Sequence, residues 1–306
     1  MSGSPLRSTR GGLAVTLLAG LLAACSSTPA PTPTTVPPTA APSVPPSSQP
    51  TASPVSLLLR VTTEGGFIGP SANLASVPLV SVYSDGRIMT PGAVDAVYPG
   101  PLVAPVAVKD VGAAGAQAIV AAIQAAGLDK AGARGGIGNP DAPTTVFAVT
   151  IGGTPITSRF HLGGGGGGPG IPGAGSPDPS VAAAGDLLNR LTDPSETWGA
   201  ANPVTSTLAP VAYRIFVAPG APAGDLPTAE PAVAWPLSTP LDQFGAAAVP
   251  DRGITGLRQG AVFGANAATL TPIFASASAL TPFSSGGNLY TLFVRPLLPD
   301  EVPAPA

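Results

Sequence analysis

Residues Ser26–Pro54 carry no charged side chain and consist almost entirely of Ser, Thr, Pro, Ala and Val. Such a segment cannot bury enough apolar surface to offset the entropy of ordering its backbone. Its prolines also lack the N–H that a helix or a sheet ladder needs. Whatever folds in this chain therefore begins near Val55. Proline (40) and glycine (39) together exceed a quarter of the 306 residues, a level that usually marks low complexity. Yet 44% of the residues are apolar, and beyond Val55 they fall into periodic segments, so a folded part follows the polar one. Stretched as polyproline II at about 3.1 Å per residue, the Ser26–Pro54 segment reaches roughly 90 Å, the length of a tether through a cell wall.

Ahead of that segment stands the only cysteine, Cys25. A thiol can be a catalytic group, half of an intermolecular disulfide or an attachment point, and its surroundings choose among these. Arg7 and Arg10 form a polar start, Leu13 to Leu22 form an apolar run too short to cross a bilayer, and small residues precede Cys25. This is the pattern of a signal peptide. Leu22-Ala23-Ala24-Cys25 resembles the lipobox of bacterial lipoproteins. That resemblance implies diacylglycerol attached to Cys25 through a thioether, cleavage after Ala24 and acylation of the new N-terminus. Two or more acyl chains, at about 0.8 kcal/mol per buried CH₂, hold a protein stably on a membrane where one does not. A buried or free reactive thiol is the weaker reading, because a cysteine directly behind an apolar run is badly placed for a core.

After the tether, hairpin and helix signals alternate. LVSVYSDGRIMT (Leu79–Thr90) alternates on both sides of Asp85-Gly86, a favoured type I′ pair, and predicts a hairpin. A helix is expected over 113–128, with Ala116, Ile119, Val120, Ile123 and Gly127 on one face. A second hairpin is expected over Thr145–Leu162, turning at Gly152-Gly153, and a second helix over Ser180–Leu191 with Ser180 as N-cap. Further on, Tyr213–Val217 reads as a strand, Ala267–Leu280 as a helix interrupted near its start by Pro272, and Asn288–Val294 as a strand closed by Arg295-Pro296, with Ser284–Gly287 as the turn before it. No internal repeat stands out. Hairpins separated from helices point to an α+β fold of antiparallel hairpins packed with a few helices. The expected organisation is a lipoprotein signal peptide at 1–24, a lipidated N-terminus and tether at 25–54, an α+β lobe with two hairpins and two helices at 55–200, and a smaller α+β lobe at 201–306.

Chemistry is harder to find than architecture. Charged residues are 9% of the chain, net charge is −3, lysine occurs only at 109 and 130, and no basic block follows the extreme N-terminus, which excludes nucleic acid as a partner. His161 is the only histidine and has no neighbouring ligand residue for a metal site, so it reads as structural. The run Gly163–Gly168 satisfies a dinucleotide fingerprint trivially, without the strand–turn–helix context or a following Lys-Ser/Thr, and reads as a flexible insertion. Neither G-x-S-x-G nor S-x-x-K is present. Glu64, Asp85, Asp95, Asp110 and Asp141 could supply a glycosidase-like carboxylate pair, but no spacing singles out two, and Asp85 already has a turn to make. Trp198, Trp235, Tyr83, Tyr98 and Tyr290 could line a glycan or peptide groove; core positions are the more economical reading.

Three stretches carry a wider resemblance: VSVYSDGRI (80–88), WPLSTPLDQFG (Trp235–Gly245) and TPFSSGGNLYTLFVRPLLPDE (Thr281–Glu301). Together they resemble a family of uncharacterised secreted lipoproteins of GC-rich Gram-positive bacteria, over most of 55–301. Phe283 stands where those proteins usually have Trp, and Arg258-Gln259-Gly260 where they tend to have R-C-G, so a disulfide that the resemblance implies is missing here. The resemblance implies location and a shared fold, and no particular reaction. The expected function is a lipid-anchored binding or structural module on the outer face of the cytoplasmic membrane, held through the lipid on Cys25, taking an envelope protein or glycan as ligand and using no cofactor or metal. The second reading is an extracytoplasmic hydrolase of an envelope component, acting through acidic or serine residues that the sequence does not assemble.

Overall fold

The computed structural model describes residues 55–66, 73–130, 134–135, 143–162, 179–224, 228–248 and 254–303. The signal peptide and tether expected at 1–24 and 25–54, Cys25, Asp141 and the glycine run 163–168 lie outside the described residues. Ala52–Ala306 form one compact unit. Its architecture is α+β, with two sheets and three α-helices among the described residues.

The first sheet takes strands β1 (Leu57–Glu64), β2 (Val80–Tyr83), β3 (Arg87–Pro91) and β4 (Val106–Asp110), then helix α1 (Gly112–Ala125), strands β5 (Arg134–Gly135), β6 (Thr144–Ile151) and β7 (Thr154–Phe160), helix α2 (Pro179–Thr192) and strand β8 (Val204–Thr207). Their order is β5-β7-β6-β1-β2-β3-β4-β8, antiparallel except between β5 and β7. Side chains alternate across a strand, so the register Leu59↔Val82, Val61↔Val80 and Val61↔Phe147 stacks apolar residues on one face. Ile119 and Ile123 of α1 and Leu187 and Leu191 of α2 close that face into the main aliphatic core.

The second sheet takes β9 (Ala212–Pro219), β10 (Val233–Ala234), β11 (Ala246–Ala247), β12 (Arg258–Phe263), helix α3 (Gly264–Ser276), β13 (Phe283–Ser285) and β14 (Asn288–Pro296), in the order β10-β13-β14-β9-β12-β11. Only β10 and β13 run parallel. Its core is aromatic: edge-to-face contacts run from Tyr213 to Phe274, from Phe274 to Phe283, and from Phe283 to Trp235 and on to Phe244, with ring centroids 5.2–6.4 Å apart. The first sheet thus ends at Thr207 and the second begins at Ala212, whereas the sequence suggested a division at 200/201; β8 pairs with β4 and belongs to the first.

Local chemistry explains most elements. The Gly152-Gly153 hairpin is tight, with Ile151 opposite Thr154 and both glycines at positive φ, the geometry of a type I′ turn. The Asp85-Gly86 hairpin differs from its type I′ expectation. Its loop has three residues, the Gly86 N–H bonds the Tyr83 carbonyl, and only Gly86 has positive φ. Asp85 keeps ordinary φ because its carboxylate turns back onto the Arg87 N–H and side chain, at 3.2 and 2.6 Å. A Cβ on Gly86 would meet the Gly112 carbonyl oxygen at 2.2 Å, so no other residue fits there. Helix α1 stops earlier than the sequence suggests, in a Schellman arrangement: the Gly127 N–H bonds the Gln124 carbonyl, and that of Leu128 bonds the Ile123 carbonyl. Helix α2 contains Ser180 within its first turn, behind Pro179, so Ser180 is not the N-cap; a proline costs nothing at a helix start, where its N–H would have no partner.

Helix α3 begins at Gly264 and ends at Ser276, so Pro272 sits inside it and Ala279-Leu280 lie beyond it. Pro272 is exposed, on the face opposite Leu270 and Phe274, which are buried in the aromatic core. β12 lies between the Tyr213–Val217 strand and the Ala267–Leu280 helix signals, where the sequence reading places no element. Phe283–Ser285 is a strand, so the turn before β14 shrinks to Gly286-Gly287, both at positive φ.

Among the described residues, several ties join the sheets. Leu298 packs with Tyr83, Met89, Val106 and Val108 on the helix-free face of the first sheet. Leu74 packs against Ala218 and Leu257 on the helix-free face of the second. The 100–102 segment bonds 277–279, through Leu102 N–H to the Ala277 carbonyl and Ala279 N–H to the Gly100 carbonyl.

Candidate functional site

The residues singled out in the sequence lie at separate places in the fold. His161 is half-buried, with Nδ1 3.4 Å from the Thr144 hydroxyl. Glu64 is exposed and pairs loosely with Arg159 at 3.4 Å. Asp110 accepts the Gly112 N–H at 2.9 Å at the start of α1, and Asp95 is exposed. Glu64 and Asp110 are thus engaged locally, and no second carboxylate shares the partner of either. Among the described residues no three His, Cys, Asp or Glu side chains gather as metal ligands.

Trp198 is buried in the first core at φ +53, in the left-handed region a bulky residue rarely takes. The Arg190 guanidinium lies 4.2 Å above its ring, and Glu196 accepts both the Arg190 Nε–H and the Trp198 N–H. The Arg190 hydrogen bond, then the Trp198 and Thr197 backbone N–H groups, hold the Glu196 carboxyl below its ordinary value. Lys109 donates to the Asp193 and Glu196 carbonyls of the same loop, and burial lowers its pKa. Charge here fastens a loop to the sheet.

A second polar cluster lies within RPLLPDE. The Tyr83 hydroxyl and Arg60 Nη2 both donate to Asp300 Oδ1, at 2.7 and 2.8 Å. Glu301 takes both guanidinium ends of Arg295 at 2.7 Å and the Leu298 N–H at 2.9 Å. Burial, then the bond to Asp300, push the Tyr83 phenol far above the usual tyrosine range. Burial alone would raise Glu301, but the Arg295 hydrogen bonds and the Leu298 amide outweigh it and leave the carboxyl below its usual value. VSVYSDGRI and RPLLPDE, far apart in sequence, therefore form one clasp between the sheets.

A serine–carboxylate contact also exists. Ser278 and Thr281 hydroxyls both donate to Glu230, while Ser278 Oγ accepts the Leu280 N–H and Thr281 Oγ1 accepts the Ser278 N–H. Every polar atom in it is committed to a turn, and no histidine joins it.

The other two quoted stretches also meet. The Trp235 indole N–H bonds the Thr239 carbonyl at 2.9 Å, and the Leu241 N–H bonds Ser285 Oγ at 3.1 Å. Phe244 lies against Gly260 so closely that a Cβ there would come within 2.7 Å of the ring. Arg258 Nε and Nη2 each donate, at 2.9 Å, to the Phe244 and Gly245 carbonyls. Arg258 thus holds this segment to β12 by hydrogen bonds in a loop that contains no cysteine.

Beside this junction is an open groove of about 270 Å³. Helix α3 covers one end of the inner face of the second sheet; at the other end only the single turn Leu241–Gln243 does, and a recess remains. Val217, Leu241 and Leu257 lie buried beneath it, Pro219 and Ala247 are its exposed apolar lining, and Asp242, Arg258 and Tyr290 supply its polar groups. Asp242 is exposed, and its carboxylate has no partner among the described residues. Tyr290 is only 6% exposed, yet its hydroxyl likewise lacks a partner there. One carboxylate, one guanidinium pinned by two carbonyls and one phenol form a set suited to holding a ligand. Of the five aromatic candidates, Tyr290 alone lines this groove; Trp198, Trp235 and Tyr83 are core, and Tyr98 is exposed at 64%. Asp242 escaped notice in the sequence because the lining comes from four separated segments, with no spacing to mark it.

Comparison with family models, with curated proteins and with solved structures finds no match to this chain.

Proposed function

We propose that this protein is a lipid-anchored binding or structural module of the cell envelope, held on the outer face of the cytoplasmic membrane through acyl chains on Cys25. The observation that carries the reading is the placement of Cys25, directly behind the apolar Leu13–Leu22 run and directly ahead of the uncharged, proline-rich Ser26–Pro54 segment. Among the described residues no helix is long and apolar enough to cross a membrane. An envelope protein or glycan is the proposed ligand, and the open groove beside Arg258 is the surface shaped to receive one.

The test compares the intact chain with Cys25→Ala in a bacterial host fed an alkyne analogue of palmitate. The intact chain should carry the label and enter the detergent phase on partitioning, and the variant should do neither. A variant that stays fully membrane-bound would remove the anchor from this account.

A further inference from the structure

We infer that the groove binds one neutral sugar ring, with Asp242, Arg258 and Tyr290 as its hydrogen-bonding groups. Its volume of about 270 Å³ lies just below the roughly 300–1,000 Å³ of sites for drug-sized ligands, which suits a single ring. Asp242 and Arg258 carry opposite charges, so a ligand of either net charge meets one repulsive partner. A carboxylate only accepts, a guanidinium only donates, and a phenol does both. Vicinal hydroxyls also do both, so a sugar satisfies all three groups at once.

The exposed Pro219 and Ala247 of its lining offer apolar contact to the C–H face that a pyranose or furanose ring presents beside its hydroxyls. A free amino acid of similar size would also answer the two charges. It would, however, place its ion pairs in an open, hydrated groove, where such pairs contribute little. Two of the three polar groups are preorganised: Arg258 is pinned by two carbonyls at 2.9 Å, and Tyr290 is fixed by its burial. That the sugar belongs to an envelope glycan rests on the proposed anchoring; the groove's chemistry does not.

The experiment uses the full chain carrying Cys25→Ala, so that binding is read independently of anchoring. Glucose, mannose, arabinose and N-acetylglucosamine are each presented at millimolar concentration, and saturation transfer to their ring protons is followed by NMR. At least one should show saturable transfer. Asp242→Asn and Tyr290→Phe should each weaken it by roughly tenfold, the effect of losing one strong hydrogen bond, with melting temperatures unchanged. Absence of transfer from every sugar, or transfer that survives both substitutions, would overturn the proposal. So would saturable binding of alanine, abolished by Asp242→Asn, with no sugar bound. A failed anchoring test with a successful sugar titration would leave the site standing and remove only its envelope source.

Discussion

The two sheets solve the same burial problem differently. Two helices cover the inner face of the first, and its core is mainly aliphatic, with Leu59, Val61, Ile119 and Ile123 at its centre. The second has one helix, and an edge-to-face chain of five aromatic rings replaces the missing one. Two of those rings, Trp235 and Phe244, come from a segment whose only helical residues are the turn Leu241–Gln243. A helix presents a continuous apolar stripe and closes the sheet beneath it, whereas a single turn covers one spot and leaves a recess beside it. The half with the weaker cover is the half that carries the groove, in keeping with the tendency of binding residues to sit on irregular segments held by a rigid scaffold.

The largest effect should come from cutting the aromatic chain next to its Tyr213 end. Phe274→Ala removes the ring that touches both Tyr213 and Phe283, and should cost about 3–5 kcal/mol in urea unfolding. Ile119→Ala in the aliphatic core should cost about 2–5 kcal/mol. If the two halves are one cooperative unit, each variant shifts a single transition. A separate early transition for Phe274→Ala alone would break the comparison by making the second sheet a domain of its own.

A smaller loss is expected at the clasp. Asp300→Ala removes the acceptor of the Tyr83 hydroxyl, which is fully buried, and should cost about 1–3 kcal/mol by the same measurement. Tyr83→Phe in the Asp300→Ala background should recover part of that loss, because the stranded hydroxyl is then gone. No recovery would mean that Arg60, not Tyr83, is the partner that matters.

The smallest effect is one of pH. The Glu301 carboxyl is held below its ordinary value in the folded protein, so it adds stability above its unfolded-state pKa of about 4.3 and loses that contribution as pH falls through the lower folded value. Glu301→Gln should therefore be less stable than the parent at neutral pH, and the gap should close on acidification below about pH 4.3. Asp193 and Glu196, on the first sheet's side, are depressed in the same direction, and the difference between parent and variant isolates the clasp from them. A gap that stays constant with pH would assign Glu301 a packing role instead.

Local patterns were legible where one short segment contains its own reasons. Gly152-Gly153 announces a two-residue turn because both positions need positive φ, and the Ala116, Ile119, Ile123 stripe announces α1 because its spacing matches a helix. The Asp85-Gly86 turn was placed correctly and typed wrongly, because Arg87 reaches back to Asp85 and holds it at ordinary φ. β12 was missed, because Arg258–Phe263 becomes a strand through pairing with the distant β9, Arg258 opposite Val217 and Phe263 opposite Ala212. Among the site residues, Tyr290 was noticed only as one aromatic among five, and Asp242 not at all.

The sequence by itself determined the α+β class, the hairpins at Gly86 and Gly152-Gly153 and the helix stripes, because turn chemistry and hydrophobic period act over a few residues. Only the tertiary structure decided that Tyr83 meets Asp300, that Arg258 holds Phe244 and Gly245, and that Asp242 and Tyr290 share a groove. Those contacts join segments far apart along the chain, and their geometry exists only once both sheets have formed and a single helix has left one end of the second uncovered.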